Sequence, residues 1–150
     1  NKHAYTESEA ILNQQIQSGA IEKLAVVIGD INGLKYVNDT LGHAAGDQLI
    51  KDASEMICQA FSHGAVFRIG GDEFVILLQG EGYDTMDEVI AALNRTVEAN
   101  IKEDKVVVSI GYAVLTPDDR QLRDVFERAD NMMYERKKAL KQMGVKTRDV

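Results

Sequence analysis

The sequence has a single cysteine, Cys58, and a single proline, Pro117, among its 150 residues. One cysteine excludes an internal disulfide and is typical of a protein from a reducing cytoplasm. No apolar run approaches the roughly 18 residues of a membrane-spanning helix, and a signal peptide, repeats and low-complexity tracts are also missing. These absences predict one compact domain, in the cytoplasm or on the cytoplasmic side of a membrane, without membrane contact of its own.

Basic residues are too few to balance the acidic ones. The chain carries 17 Lys and Arg against 24 Asp and Glu, which gives a formal net charge of −7. A chain of this charge repels a nucleic-acid backbone or an anionic membrane, so neither is an expected partner. A polyanionic nucleotide remains compatible with it, provided that a metal ion or locally placed lysines neutralise the phosphates.

Hydrophobic patterns predict alternating strands and helices. From residue 24 onward the order is strand, helix, strand, strand, helix, strand, helix, which is the ferredoxin-like βαββαβ pattern with additional helices. We therefore expect an α+β fold in which two helices cover one face of an antiparallel sheet, leaving the open face or the strand ends for a site. The predicted helices are 5–17, 49–61, 85–100 and one opening at Pro117-Asp118-Asp119 and running to Gln142; the predicted strands are 24–28, 65–69, 73–78 and 106–115.

Gly70 and Gly71 separate two of the predicted strands and indicate a tight hairpin, since glycine supplies the positive φ of such turns. Asp72 and Glu73 then lie at the hairpin tip, while Asp30 directly follows the first strand. The first and third strands are neighbours in the split pattern, so the three acids are expected to converge.

Acidic side chains brought together repel each other and raise one another's pKa unless a cation holds them. Mg²⁺ prefers carboxylate oxygen and often bridges substrate phosphates, which suits phosphoryl or nucleotidyl transfer. The alternative is that these acids are solvated turn residues. A lone aspartate after a strand favours that alternative, but Gly-Gly-Asp-Glu-Phe together with Asp30 favours the metal site.

Gly33 and Lys35 follow in the stretch Asp-Ile-Asn-Gly-Leu-Lys. Gly33 allows the backbone to approach a ligand closely, and Lys35 offers a point charge to phosphate. Taken alone, these two residues decide little.

Asn38, His43 and Asp47 form a third group. A carboxylate accepts from the N1–H and 2-amino group of guanine, while an amide donates to O6 or N7, so Asn38 and Asp47 together suit guanine rather than adenine. The alternative is that both residues are helix caps, a common role for asparagine and aspartate. The spacing alone leaves the two interpretations open.

Lys137 and Lys141 are four residues apart in the last predicted helix and share a face, where they suit a triphosphate. The alternative is a solvated basic helix end that complements the macrodipole. The sequence alone favours this alternative.

Three stretches together resemble the GGDEF family of diguanylate cyclases. The signature at 70–74 is matched in full, residues 30–47 follow the family pattern through Gly-His to Gly-Asp, and residues 129–134 match in the last helix. These matches occur in the family's order and cover nearly the whole chain, so residues 1–150 are identified as a single GGDEF domain.

The resemblance implies a palm-type fold, related to polymerase palms and nucleotidyl cyclases. It also implies an enzyme of bacterial signal transduction, a diguanylate cyclase that joins two GTP into cyclic di-GMP with loss of two pyrophosphates. Each subunit of a two-fold homodimer would hold one GTP with Mg²⁺, or with Mn²⁺ in its place.

By position, the resemblance assigns roles to individual residues. Metal binding falls on Asp30, the Ile31 carbonyl, Asp72 and Glu73. Asp72 also corresponds to the acid that accepts the 3′-hydroxyl proton. The implied catalytic residues are Asp72, Glu73 and Lys35, and the implied substrate-binding residues are Gly33, Leu34, Asn38, His43, Asp47, Gly71, Lys137 and Lys141.

Several positions depart from the family pattern. Leu140-Lys141 replaces a usual Gly-Arg pair, which exchanges a planar fork for a point charge and predicts weaker triphosphate binding. Phe61 and Gly64 stand where the family has the Arg and Asp of its product-inhibition site, so feedback through that site is expected to be absent.

The chain begins at Asn1-Lys2, which resembles the end of the family's N-terminal turn. Most of that turn is missing, so we expect a domain excised from a longer multidomain protein with a sensory domain upstream. The missing turn and Leu140-Lys141 support a second function, a GTP-binding regulatory module without turnover that controls a neighbouring domain. The active cyclase is favoured because every metal and guanine position holds a competent residue.

Overall fold

The computed structural model describes residues 1–144, and within them helices and strands alternate in the predicted order. Two short helices, over residues 34–41 and 80–84, were not predicted from the sequence, and the helix predicted at 49–61 begins earlier, at His43. The helices are α1 Lys2–Ser18, α2 Leu34–Leu41, α3 His43–Ala60, α4 Gly80–Asp84, α5 Met86–Lys102 and α6 Leu122–Gln142; the strands are β1 Ala25–Ile31, β2 Ala65–Arg68, β3 Glu73–Leu78 and β4 Val108–Val114.

The strands form one sheet in the order β2-β3-β1-β4, and each neighbouring pair is antiparallel. β1 therefore lies next to β3, as the split pattern predicts. β1 also extends further than predicted, because Asp30 still pairs with Glu73 on one side and with Ser109 on the other. Asp30 thus lies within the strand and not after it.

Helices cover both faces of the sheet, so the predicted open face is absent from residues 1–144. Alternate β1 side chains enter two separate cores, because successive residues of a strand point to opposite faces. Ala25 and Val27 pack in the core covered by α3 and α5, while Val26 and Ile28 pack in the core covered by α1 and α6. With both faces occupied, the strand ends are the remaining place for a site built on this sheet.

The hairpin between β2 and β3 differs from the prediction. Its loop is longer than two residues, since the Ile69 amide donates to the Glu73 carbonyl at 3.0 Å. The strands leave a four-residue loop over residues 69–72, and loops of that length are most often built around a type I turn, which needs no left-handed residue at its centre. Accordingly, Gly70 and Gly71 are not among the positive-φ glycines of the described chain. The prediction that they supply positive φ was wrong.

The last helix begins later than predicted, at Leu122 and not at Pro117. Gln121 and Asp124 form a capping box there, which satisfies the first free amides of α6. Asp119 instead accepts hydrogen bonds from the Thr116 amide and from the Arg128 guanidinium. Its role is to fix the turn before the helix.

Candidate active site

The acidic residues meet where β1 ends and β3 begins. Asp30 and Glu73 are paired residues in the β1–β3 register. The Ile31 amide also donates to the Asp72 carbonyl at 2.8 Å, which ties the hairpin tip to the end of β1. The sheet thereby brings together the three acids that the sequence singled out.

Burial and mutual repulsion make the charged forms of two of these acids, Asp30 and Glu73, unfavourable. The pKa of Asp30 is raised to about 7, mainly by burial and then by the charge of Asp72, while Lys137 opposes both effects. Burial also raises the pKa of Glu73, with the negative charges of Asp130 and Asp72 as further causes. Such a cluster favours the approach of a cation.

Lys137 of α6 reaches this cluster. Its Nζ lies 3.7 Å from Asp30 Oδ1, and its side chain is only 20% exposed. The alternative of a solvated helix end is therefore wrong for Lys137. Lys141 lies one turn further along α6 and is half-buried, and the intervening Leu140 is fully buried in the core on the α3 and α5 side.

The donor set fits a divalent cation that is shared with a substrate. Asp30 Oδ1 is buried and makes no hydrogen bond within residues 1–144. No group of three His, Cys, Asp or Glu side chains in the described chain is arranged to enclose an ion by itself. Mg²⁺ commonly takes one or two carboxylates and completes its shell with water and substrate phosphates. Asp30 and Asp72 are suited to that arrangement, with the Ile31 carbonyl and Glu73 beside them.

The loop after β1 is fixed to β4 by a buried hydrogen bond. Asn32 is buried, and its Oδ1 accepts from the Ser109 hydroxyl at 2.6 Å. Gly33 is the N-cap residue of α2 and has a φ of 77°, a left-handed value that favours glycine. Leu34 packs its side chain against the core on the α3 and α5 side. Lys35 follows in the first turn of α2 and is exposed.

The packing of α2 on α3 brings Asn38 to the turn of α3 that carries Asp47. The side chain of Asn38 lies against Gly46, the residue before Asp47. Neither Asn38 nor Asp47 caps a helix, since Gly33 and Gly42 hold those positions. The helix-cap alternative is therefore wrong for both.

His43 is the first residue of α3 and is exposed. Gly71 lies in the hairpin loop, where an added Cβ would meet nothing within 4 Å. The space beside Gly71 is therefore free of protein atoms of the described chain, and the backbone there is accessible to a ligand.

Asp130 is a member of the site that the sequence reasoning did not assign. Its charge contributes to the raised pKa of Glu73, which places it near the acid cluster from the α6 side. The available signal was the match of residues 129–134 to the family pattern, which covered Asp130 without suggesting a role for it.

Solved structures share this fold. The chain resembles the GGDEF domain of DgcB from Caulobacter crescentus, solved in complex with c-di-GMP, with a TM-score of 0.76 and 24% identity over 98% of this chain and 88% of that one. The active GGEEF domain of a diguanylate cyclase from Vibrio cholerae gives a TM-score of 0.72 and 21% identity, over 93% and 88% of the two chains. The fold is thus the predicted α+β palm of the nucleotidyl-cyclase type.

The family model of the diguanylate cyclase GGDEF domain matches residues 3–143. The chain therefore belongs to the family of diguanylate cyclase GGDEF domains, as the sequence resemblance indicated.

Curated relatives are longer proteins. The diguanylate cyclase DgcS of Shewanella oneidensis is 29% identical over 143 residues, which are 91% of this chain and 46% of that protein. Diguanylate cyclase A of Treponema denticola is 32% identical over 123 residues, 77% of this chain and 33% of that protein. An uncharacterized membrane protein of Staphylococcus haemolyticus is 33% identical over 128 residues, 80% and 36% of the two chains. The chain spans less than half the length of each. Within residues 1–144, no helix has the length and apolar character to cross a bilayer.

Proposed function

We propose that the chain is a diguanylate cyclase domain that condenses two GTP into cyclic di-GMP and two pyrophosphates. The observation that carries this proposal is the buried Asp30 carboxylate, without a hydrogen bond at Oδ1, beside Asp72 and Lys137. Membership of the GGDEF family and the resemblance to a domain solved with c-di-GMP support the same reaction.

In the proposed reaction, the 3′-hydroxyl of each GTP attacks the α-phosphorus of the other. Each attack forms one phosphodiester bond and breaks one α–β bond, and pyrophosphate leaves. Asp72 accepts the hydroxyl proton, while Lys35 and Lys137 neutralise charge on the phosphates. A bound Mg²⁺ would supply charge neutralisation and Lewis acidity at the carboxylates of Asp30 and Asp72.

Base recognition is assigned to α2 and α3. Asp47 accepts from the N1–H and 2-amino group of guanine, and Asn38 donates to O6 or N7, with His43 nearby. Adenine lacks the donor pair that a carboxylate requires. The Asp47→Ser variant should therefore lose preference for GTP over ATP, and unchanged selectivity would remove Asp47 from this role.

The two half-sites are proposed to face each other in a homodimer, with one GTP in each subunit. A single domain holds one GTP and cannot supply the second. The relatives are longer, so an upstream sensory segment that brings two copies together belongs to this proposal.

The test is an assay with GTP and MgCl₂ over a wide range of protein concentration, with cyclic di-GMP quantified by chromatography. We expect product, and a rate that rises more steeply than linearly with protein. Asp72→Ala should abolish turnover while preserving the thermal midpoint. Turnover retained in Asp72→Ala would overturn the assignment of the acid site.

The assay also separates the second candidate, a GTP-binding regulatory module. The specific observation in its favour is Leu140, which is fully buried where the family usually has glycine and precedes a lysine in place of arginine. A module of this kind would bind labelled GTP and return it unconverted at every protein concentration. Conversion to cyclic di-GMP would exclude it.

A further inference from the structure

Gly46 lies in the first turns of α3 and is buried beneath the side chain of Asn38 from α2. A Cβ built on Gly46 would overlap Asn38 Oδ1, and would lie 2.7 Å from Asn38 Cγ and 3.4 Å from Nδ2. Carbon atoms do not approach that closely without a shift. A side chain at position 46 and the present position of the Asn38 amide therefore exclude each other.

The backbone itself does not require glycine at this position. Gly33 and Gly42 have φ values of 77° and 91°, which explains their glycines, but Gly46 is not among the positive-φ residues of the described chain. Inside a helix, glycine is less favourable than alanine because its unfolded chain has more freedom to lose. The Asn38 amide, and not the conformation of the helix, therefore explains why position 46 is a glycine.

We propose that Gly46 is a positioning residue for base recognition, whose bare Cα leaves the Asn38 amide its place beside Asp47. This inference rests on the proposed function, in which Asn38 and Asp47 read guanine. Asp47 follows Gly46 directly on α3, so the contact between Gly46 and Asn38 holds the amide against the turn of α3 that carries the carboxylate. Guanine needs both groups at once, one for its donors and one for its acceptors.

Because of this contact, a methyl group added at position 46 should change base recognition without lowering the stability of the fold. The Asn38 amide is the far end of a flexible side chain, so it can rotate away from an added methyl group without moving backbone. The helix is then preserved, and is even favoured by the alanine. The amide, however, has left the position from which it donates to the base.

The test combines Gly46→Ala, Asn38→Ala and the double variant. Equilibrium titrations with a non-hydrolysable GTP analogue and the matching ATP analogue, both with Mg²⁺, give the affinities. We expect Gly46→Ala to weaken GTP binding about fivefold to tenfold, the range for one hydrogen bond to a base. ATP binding should be weakened less, because adenine carries an amino donor where guanine has the O6 acceptor, and the thermal midpoint should equal or exceed that of the unmodified chain.

The double variant distinguishes positioning from a general defect. If Gly46 acts through the Asn38 amide, Gly46→Ala adds no further loss in the Asn38→Ala background. Equal losses in both backgrounds would overturn the inference, because Gly46 would then act on another group. Ala44→Gly changes helix propensity in the same turn at an exposed position, and it should retain GTP affinity.

The outcomes for the two proposals differ. If the unmodified chain binds both analogues alike, the proposed guanine site is wrong, and the inference is wrong with it. If the unmodified chain binds the GTP analogue more tightly than the ATP analogue, and Gly46→Ala shows the same ratio of affinities, the guanine site is retained. Only the proposed role of Gly46 is then overturned.

Discussion

At the scale of single residues, Asp30 is where the proposed chemistry conflicts with the stability of the fold. Its carboxylate is buried at the end of β1, next to Asp72, and its pKa is raised to about 7. An acid whose pKa is higher in the folded state destabilises that state above the unfolded value near 3.9, and the full cost is present above the folded value. Lys137 offsets part of this cost.

Replacing Asp30 by Asn should therefore stabilise the metal-free protein while abolishing cyclase activity. One pKa unit corresponds to about 1.4 kcal/mol, so we expect a gain of at least about that size at pH 8, and a smaller gain at pH 5. Urea denaturation in EDTA at the two pH values measures this difference. Asp118→Asn removes an exposed acid and should show no such gain; a gain independent of pH would contradict the explanation.

The convergence of Asp30 with Asp72 could be predicted from the sequence, because strand order follows from the split pattern. The place of Lys137 could not, since helical spacing gives a face but not the neighbour of that face. Asp130 was missed for the same reason. The conformation of Gly70 and Gly71 was mispredicted because loop length, which the sequence leaves open, determines the turn type.

At the scale of secondary structure, α6 is the element that carries Lys137 to the acids, and Gly111 of β4 determines its distance from the sheet. A Cβ on Gly111 would overlap backbone atoms of Ala129 and Met133, including Met133 Cα at 2.7 Å. Backbone cannot rotate away as a side chain can. The helix therefore lies closer to β4 than any other residue at position 111 would allow.

The Gly111→Ala variant should consequently displace α6 and destabilise the fold by about 2 kcal/mol or more. We also expect lower cyclase activity at temperatures where the variant is still folded, because Lys137 moves with the helix. Thermal denaturation and the cyclase assay measure the two effects. A variant with normal stability would show that β4 and α6 separate without cost.

The turn before α6 depends on Asp119. Its side chain is only 5% exposed, and the guanidinium of Arg128 donates to both of its oxygens, at 2.7 and 2.8 Å. The hydrogen bond from Arg128 is the main cause that lowers the pKa of Asp119. A lowered pKa contributes stability above the unfolded value near 3.9, and this stability is lost as the pH falls through the folded value.

We expect Asp119→Asn to destabilise the protein by about 1.5 to 3 kcal/mol at pH 7, the range for hydrogen bonds to a charged group. The difference from the unmodified chain should shrink as the pH falls below 4. Denaturation curves across that range measure it. A difference that stays constant at low pH would assign the effect to packing.

The elements themselves were largely predictable, because apolar periodicity identified every strand and the long helices. The start of α6 was not, since the partner of Asp119 is Arg128 within the helix and no local pattern indicates this pairing. The second covered face was also missed. Apolar positions in α1 and α6 were visible, but the sequence did not show which face of the sheet they would cover.

At the scale of the whole molecule, the end of β3 away from the acids has Phe61 and Gly64 nearby, the positions where the resemblance to the family led us to expect no product-inhibition site. Phe61 is 3% exposed and belongs to the core. A Cβ on Gly64 would lie 2.6 Å from Leu78 and 2.9 Å from Ile76, so this position has no room for a side chain. These two positions therefore offer neither an arginine nor an aspartate to cyclic di-GMP.

Cyclic di-GMP added before the substrate should therefore leave the initial rate of the proposed cyclase unchanged, at concentrations well above that of the enzyme. The measurement is release of pyrophosphate in a coupled assay, with pyrophosphatase activity checked separately. Inhibition that persists at saturating GTP would show that the product binds elsewhere on the molecule.

The strand order has a consequence for how the domain is made. β1 lies between β3 and β4, so the first strand to leave the ribosome pairs on one side with the last one. Contacts so distant in sequence form late, because the intervening chain must be ordered first. A nascent chain that already exposes the Gly-Gly-Asp-Glu-Phe hairpin still lacks β4 and the helix that carries Lys137. We therefore expect the contact between Lys137 and Asp30 to form only after synthesis of the domain is complete.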